Sequence, residues 1–324
     1  MSHEINRRTF IKGSVLATAG GAVVFQGSAR QAHAQAEANK VADSPGRAAT
    51  ASALPKGKIG KLEISRLILG GNLLTHYTHS RDLKYVYNLA AHYNTDEKIM
   101  ETLALAEAHG INCVSMHNPP HPMSVLRRYR KERGGKIQWI ICPTAEIKPD
   151  LADYRRMVEE LVKDGCEAIY LWGVRGDALA GGKQFDLMAK VVEMPRKEFG
   201  VPSGVGGHKL DVVKACEEHG VNPDFYIKTF HHSSYPSAKM DFDNSWCDNA
   251  EEVAAFMGTV TKPWIAFKVM AAGAIPPQNA FRYAFKNGAD HVLAGMFDFE
   301  VAEDVRIAGE AVSAAGNRLR PWRS

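Results

Sequence analysis

The sequence predicts an α/β protein folded as a single (β/α)8 TIM barrel. Two observations carry this. Eight short apolar runs alternate with amphipathic helical segments, and alternating βα units demand a parallel sheet covered by helices. Several helical segments also stop at a glycine just ahead of the next strand, at His109-Gly110, His219-Gly220 and Asn287-Gly288, the usual left-handed end of a helix. An open doubly wound sheet is the alternative. It would need a Gly-rich phosphate turn after the first strand, and Gly70-Gly71-Asn72 lacks the GxGxxG spacing.

Taken in order, the first strand is Arg66–Gly71, followed after a long insertion by a helix over Thr95–His109, with Asn94 and Glu97 placed as a capping box. Strands are expected at Ile111–His117, Ile137–Pro143, Ala168–Gly173, Pro202–His208, Asp224–Phe230, Trp264–Ala271 and His291–Phe297. Helices are expected at Asp150–Lys163, Gln184–Glu198, Lys209–His219, Asn249–Val260, Pro277–Lys286 and Val301–Ala314.

Ahead of the barrel, Asn6-Arg7-Arg8-Thr9-Phe10-Ile11-Lys12 has the form of a twin-arginine export signal. The weakly apolar stretch from Gly13 to Val24 is too short to span a bilayer, which takes roughly 20 apolar residues. Ala32-His33-Ala34 supplies a small-x-small cleavage site ahead of Gln35. The organisation is therefore a signal peptide over 1–34, a linker rich in Ala, Ser, Gln and Lys over 35–57, and a barrel over 58–324. The expected partner is the twin-arginine translocation machinery, and the mature protein is expected in the periplasm or outside the cell.

The formal charge is +4, and Arg7, Arg8, Lys12 and Arg30 against Glu4 account for most of it. No basic stripe remains in the mature chain, which argues against a nucleic-acid partner, and no later segment is apolar enough to span a membrane. Five cysteines without a CxxC pair do not form a disulfide framework.

Barrel chemistry lies at the C-terminal ends of the strands. Strand five ends at His208, after glycines that leave room beside the backbone for a ligand. Strand six ends at His231-His232. Arg175 follows strand four, Glu146 strand three, and Asp298 strand eight; His117-Asn118 closes strand two. If the apolar sets on strands six and seven face the helices, alternation turns Lys228 and Lys268 into the barrel. The expected catalytic set is His208, Lys228, Lys268, His231, Arg175 and Asp298. The candidate ligands for a divalent metal are His208, His231, His232 and Glu146. The loop His76–Asp82 reads as a lid or a solvated insertion. Tyr85, Tyr87, Tyr93, Trp172 and Trp246 either line a sugar cleft or simply pack.

These segments resemble aldo/keto reductases. Ser65–Gly71 is similar to that family's first strand, Thr102–Asn112 to its first helix and second strand, and Phe267–Gly273 and Val292–Met296 to its seventh and eighth strands. The resemblance implies a catalytic Asp, Tyr, Lys and His and a nicotinamide cofactor, NAD(P). None of the four carries over. Ser115 stands for the Asp, Pro119 and Pro120 for the Tyr, Cys142-Pro143-Thr144 holds no Lys, and Gly173 stands for the His. Phe297 takes the place of a phosphate-binding cation, and Asp298 would repel a 2′-phosphate.

Three functions follow. The first is acid/base or metal-assisted lyase or isomerase chemistry beside the carbonyl of a small, sugar-derived substrate. In it His208 or His231 is the base and a cation stabilises the enolate; in a variant Lys228 forms a Schiff base, activated by the charge of Lys268. The second is an oxidoreductase with an altered NAD(P) site, and the third a non-catalytic carbohydrate-binding barrel. Changing Arg7 and Arg8 together to Lys should leave the full-length precursor in the cytoplasm, as cell fractionation and N-terminal sequencing would show; processing before Gln35 in that variant would refute the signal.

Overall fold

The computed structural model describes residues 54–238, 240 and 244–324. The expected signal peptide, its expected cleavage site and most of the expected linker lie outside the described residues.

A short antiparallel hairpin, β1 (Lys56–Ile59) and β2 (Leu62–Ser65), comes first among the described residues, and its first strand starts two residues before the expected boundary at 58. The barrel strands follow: β3 (Leu67–Gly70), β4 (Cys113–His117), β5 (Gln138–Cys142), β6 (Ala168–Leu171), β7 (Ser203–Gly207), β8 (Phe225–Thr229), β9 (Trp264–Phe267) and β10 (His291–Ala294). All are parallel, each pairs with the next, and β10 closes onto β3. The expected (β/α)8 barrel is therefore the observed fold.

Around it run α1 (Lys84–Tyr93), α2 (Asp96–Ala108), α3 (Pro120–Arg133), α4 (Ala152–Lys163), α5 (Gly173–Gly181), α6 (Phe185–Phe199), α7 (Leu210–Glu218), α8 (Ala250–Thr259), α9 (Pro277–Lys286) and α10 (Val301–Ser313). The helices α1, α3 and α5 are additions to the elements expected from the sequence; α3 starts with prolines in its first turn. The cap of α2 also sits one residue later than expected. Thr95, not Asn94, accepts the Lys98 amide, while Asn94 is buried and donates to the Leu73 carbonyl. Asn249 caps α8 by accepting the Glu252 amide. No helix among the described residues is long and apolar enough to cross a membrane, and all five cysteines are buried and free.

Two apolar layers hold the barrel. The larger lies between strands and helices. The smaller fills the interior with Ile68, Cys113, Ile140, Cys142, Ala168, Tyr170, Phe225, Ile227, Ile265 and Leu293, and the hairpin residues Ile59, Leu62 and Ile64 pack into it. The hairpin thus plugs the N-terminal end. Alternation on β8 and β9 is the reverse of the expectation: Phe225, Ile227, Ile265 and Phe267 face inward, whereas Tyr226, Trp264 and Ala266 face the helices. Both sides of a parallel barrel strand are apolar, so hydrophobicity alone cannot assign the inner face.

Below the barrel, Asp290 is fully buried and accepts hydrogen bonds from the backbone of Trp264 (2.9 Å) and Arg323 (2.8 Å). Arg320 and Arg318 stand 3.4 and 3.7 Å from its carboxylate, and Arg66 donates to its carbonyl at 3.0 Å. Arg66 and Arg318 also stack on Trp322. Removing one partner of a buried charge cluster strands the others. Asp290→Ala should therefore lower the unfolding free energy by about 3–5 kcal/mol in urea denaturation; a change near zero would mean the cations are neutralised elsewhere.

Candidate active site

The open end of the barrel holds a cavity of about 620 Å³. Its depth follows from missing side chains. Gly204 and Gly206 sit at inward positions of β7; the Phe225 ring takes the space beside Gly204, but Gly206 lines the cavity. A Cβ at Gly206 would meet the Leu171 carbonyl oxygen at 2.9 Å, so only glycine lets β6 and β7 approach so closely here.

His208, directly after β7, lines this cavity. Its Nδ1 lies 2.7 Å from Oδ2 of Asp177 on α5. The same carboxylate accepts the backbone N–H groups of His208 (3.1 Å) and Lys209 (3.0 Å). Burial alone would raise the Asp177 pKa. The His208 ring, its charge and these two amides outweigh that, and the carboxyl sits below its ordinary value. Asp177 therefore fixes the imidazole with a proton on Nδ1 and leaves Nε2, which has no partner among the described residues, to the cavity. Sequence reasoning missed Asp177; the one clue is that it is the only acid in the small, apolar helix α5.

The other expected residues separate into groups. Lys268 lines the cavity, but it gets there by a turn, not by strand alternation. β9 ends at Phe267 and Lys268 adopts a left-handed φ of 58°. Its ammonium donates to the Asn244 side chain and to the Ser245 carbonyl at 3.1 Å. Lys228 does not enter the cavity. It is buried behind the rim, donating to the carbonyls of His208 (2.7 Å) and Thr229 (2.8 Å), and burial brings its pKa down to about 8. An amine so bound is not presented to a carbonyl substrate as a Schiff-base nucleophile.

His231 is buried with both nitrogens engaged, Nδ1 with the His232 carbonyl (2.9 Å) and Nε2 with the Cys247 amide (2.9 Å). His232 accepts the Ser234 amide, and Glu146 is exposed beside Lys148. The proposed metal set of His208, His231, His232 and Glu146 therefore does not converge, and no group of three such donors forms among the described residues. Arg175 does not line the cavity. Asp298 is held by the Tyr93 hydroxyl (2.6 Å) and Lys98 (2.8 Å), which ties α1 and α2 to the loop after β10.

Further cavity residues come from the inner strands and the loops. Ser115 is buried, and its Oγ has no hydrogen-bond partner among the described residues; the same holds for Thr78 Oγ1 and Asn244 Nδ2. Tyr77, Thr78 and His79 bring the long first loop over the cavity. Of the five aromatics read as a cleft, Trp172 and Trp246 line it, Tyr85 and Tyr87 are exposed, and Tyr93 packs edge-on against Phe297. Near β10, Glu300 and Asp304 complete the lining. Burial, then the charges of Glu300 and Glu303, raise Asp304 to about 7.

Among solved structures, the chain is similar to a protein from Pseudomonas aeruginosa described as an aldo-keto reductase (18% identity, TM-score 0.55, 82% of this chain and 100% of that one). It is similar also to the holo form of an aldo-keto reductase from Bacillus halodurans (11%, 0.55, 81% and 96%). A third is a Gox0644 variant in complex with NADPH (12%, 0.54, 82% and 94%). The fold is thus aldo/keto reductase-like. No protein-family model and no curated protein matches the sequence.

A carboxyl with a raised folded pKa destabilises the fold as pH rises from its unfolded value, 3.8, towards about 7. Asp304→Asn should therefore be more stable than the parent by about 1–3 kcal/mol at pH 8 and equal to it below pH 4 in chemical denaturation. A difference independent of pH would show that the carboxyl is not strained by its burial.

Proposed function

We propose that the protein is an exported enzyme working by acid/base chemistry beside the carbonyl of a small, sugar-derived substrate, as an isomerase, epimerase or lyase does. The observation that carries this is the Asp177–His208 pair, with Nδ1 held at 2.7 Å and Nε2 left to the cavity. In this reading the Nε2 lone pair takes the proton from the carbon next to the carbonyl, and the electron pair moves to the carbonyl oxygen. Asp177 stabilises the resulting imidazolium, and a base so placed contributes about 10²–10⁴ in rate. Lys268 is the cation nearest in role to the developing oxyanion. Ser115, Thr78 and Asn244, with polar atoms lacking partners, suit the hydroxyls of a polyol, and Trp172 and Trp246 suit its apolar faces.

A second reading, an NAD(P)-dependent oxidoreductase, is favoured by the cavity size and by the NADPH held in one structural neighbour. The residues present do not fit the phosphorylated cofactor well. Glu300 and Asp304 line the cavity beside Phe297, and that acidic end repels a 2′-phosphate.

The test is solvent-deuterium incorporation next to the carbonyl of D-xylulose or D-fructose, followed by proton NMR, together with nucleotide analysis of protein purified from its own host. His208→Gln should slow the exchange at least about 100-fold. No exchange by the parent, or a stoichiometric nucleotide, would sink the proton-transfer reading and favour the oxidoreductase.

A further inference from the structure

The end of β4 carries an imidazole that the function above leaves unused. His117 lines the same cavity as His208. Its ring stacks on Trp172, with centroids 6.2 Å apart and planes 6° from parallel, and meets Tyr77 edge-on at 5.5 Å. Neither ring nitrogen has a hydrogen-bond partner among the described residues. Neither nitrogen is among the buried unpartnered atoms, so both stay accessible from the cavity and open to a ligand. On the rim, His208 and His231 are tied by Asp177, His232 and Cys247, whereas His117 packs between the rings of Trp172 and Tyr77. Burial keeps its pKa below the ordinary value, so at neutral pH it carries one N–H and one lone pair.

Its place in the rim relates it to His208. Trp172, which stacks on His117, directly precedes Gly173, and a Cβ at Gly173 would lie 3.0 Å from Cε1 of His208. One dipeptide at the end of β6 therefore holds an imidazole against each of its residues, and the absence of a side chain at Gly173 lets His208 close in.

We infer that His117 is a second catalytic residue, the neutral hydrogen-bond donor to the carbonyl oxygen of the substrate while His208 removes the neighbouring proton. This rests on the reading of His208 as the base. In the step, the C–H bond breaks and its proton goes to His208 Nε2. The bonding pair forms the carbon–carbon double bond, and the carbonyl π pair moves onto oxygen. The N–H of His117 donates to that oxygen throughout and stays on the ring, so no second proton is transferred and no oxidant is needed. The imidazolium proton exchanges with solvent deuterium, and its return from His208 Nε2 to the carbon re-forms the carbonyl and completes the exchange. The neutral donor adds to the charge of Lys268 at this oxygen, because its hydrogen bond strengthens as the oxygen becomes negative.

The experiment uses the same deuterium exchange of D-xylulose or D-fructose on the full protein. His117→Phe keeps an aromatic ring for Trp172 and removes both nitrogens; His117→Gln restores an N–H. His117→Phe should slow exchange about 100-fold, mainly in kcat, with an unchanged melting temperature, and His117→Gln should recover at least about tenfold of that. If the phenylalanine is not accommodated, His117→Ala with added imidazole serves instead, and rescue of exchange is the expected result. Exchange by His117→Phe close to that of the parent, or no recovery by Gln or imidazole, overturns the inference. Loss in His117→Phe with full activity in His208→Gln would keep His117 and remove His208 as the base. Absence of exchange in the parent removes both.

Discussion

A closed barrel must fill its own interior, and in this protein the filling comes from one end. Ile59, Leu62 and Ile64 of the hairpin rise into the layer formed by Ile68, Cys113, Ile140, Phe225 and Ile265. Below them the buried Asp290 and its arginines tie the segment 318–324 against the strand starts. Hydrophobic burial is non-directional, so it is the plug that gives the barrel a closed floor and an open mouth. The cavity, its glycine-lined wall and the rim residues all depend on that asymmetry.

At the mouth the side chains divide by what they satisfy. Lys228 gives two of its three N–H donors, and His231 both ring nitrogens, to strand-end and loop backbone. They hold the rim in place and are closed to a ligand. His208 spends one nitrogen on Asp177, and His117 spends none. Unspent hydrogen-bonding capacity facing one cavity, together with Ser115, Thr78 and Asn244, is what separates a place for chemistry from polar scaffolding. Ser115 leaves volume in the cavity wall, while at Gly173 the absent side chain makes room for the His208 ring.

Much of the fold was legible because it rests on local rules. The alternation of apolar runs and the glycine stops at Gly110, Gly220 and Gly288 marked the eight strands, and all three glycines have positive φ. The start of the helix at Asn249 was legible because capping is a contact within one turn. The errors share a cause. Asn94 lost the cap to Thr95 because it was drawn into a contact with Leu73, over twenty residues away. Lys228 was assigned inward because strand alternation gives two faces and not their sides, and in a barrel both are apolar.

By itself, the sequence determined the barrel and the strand ends where His208 and His117 sit, since these follow from periodicity and from the rule that barrel chemistry gathers at the C-terminal rim. Only the tertiary structure decided which of them share a cavity and with which partner. Asp177 and His208 are 31 residues apart, and Ser115, Trp172 and Asn244 come from three different strand ends or loops. Local propensity carries no information about such pairs; they exist because closing the sheet brings the strand ends to one mouth, and because left-handed turns such as that at Lys268 redirect side chains there.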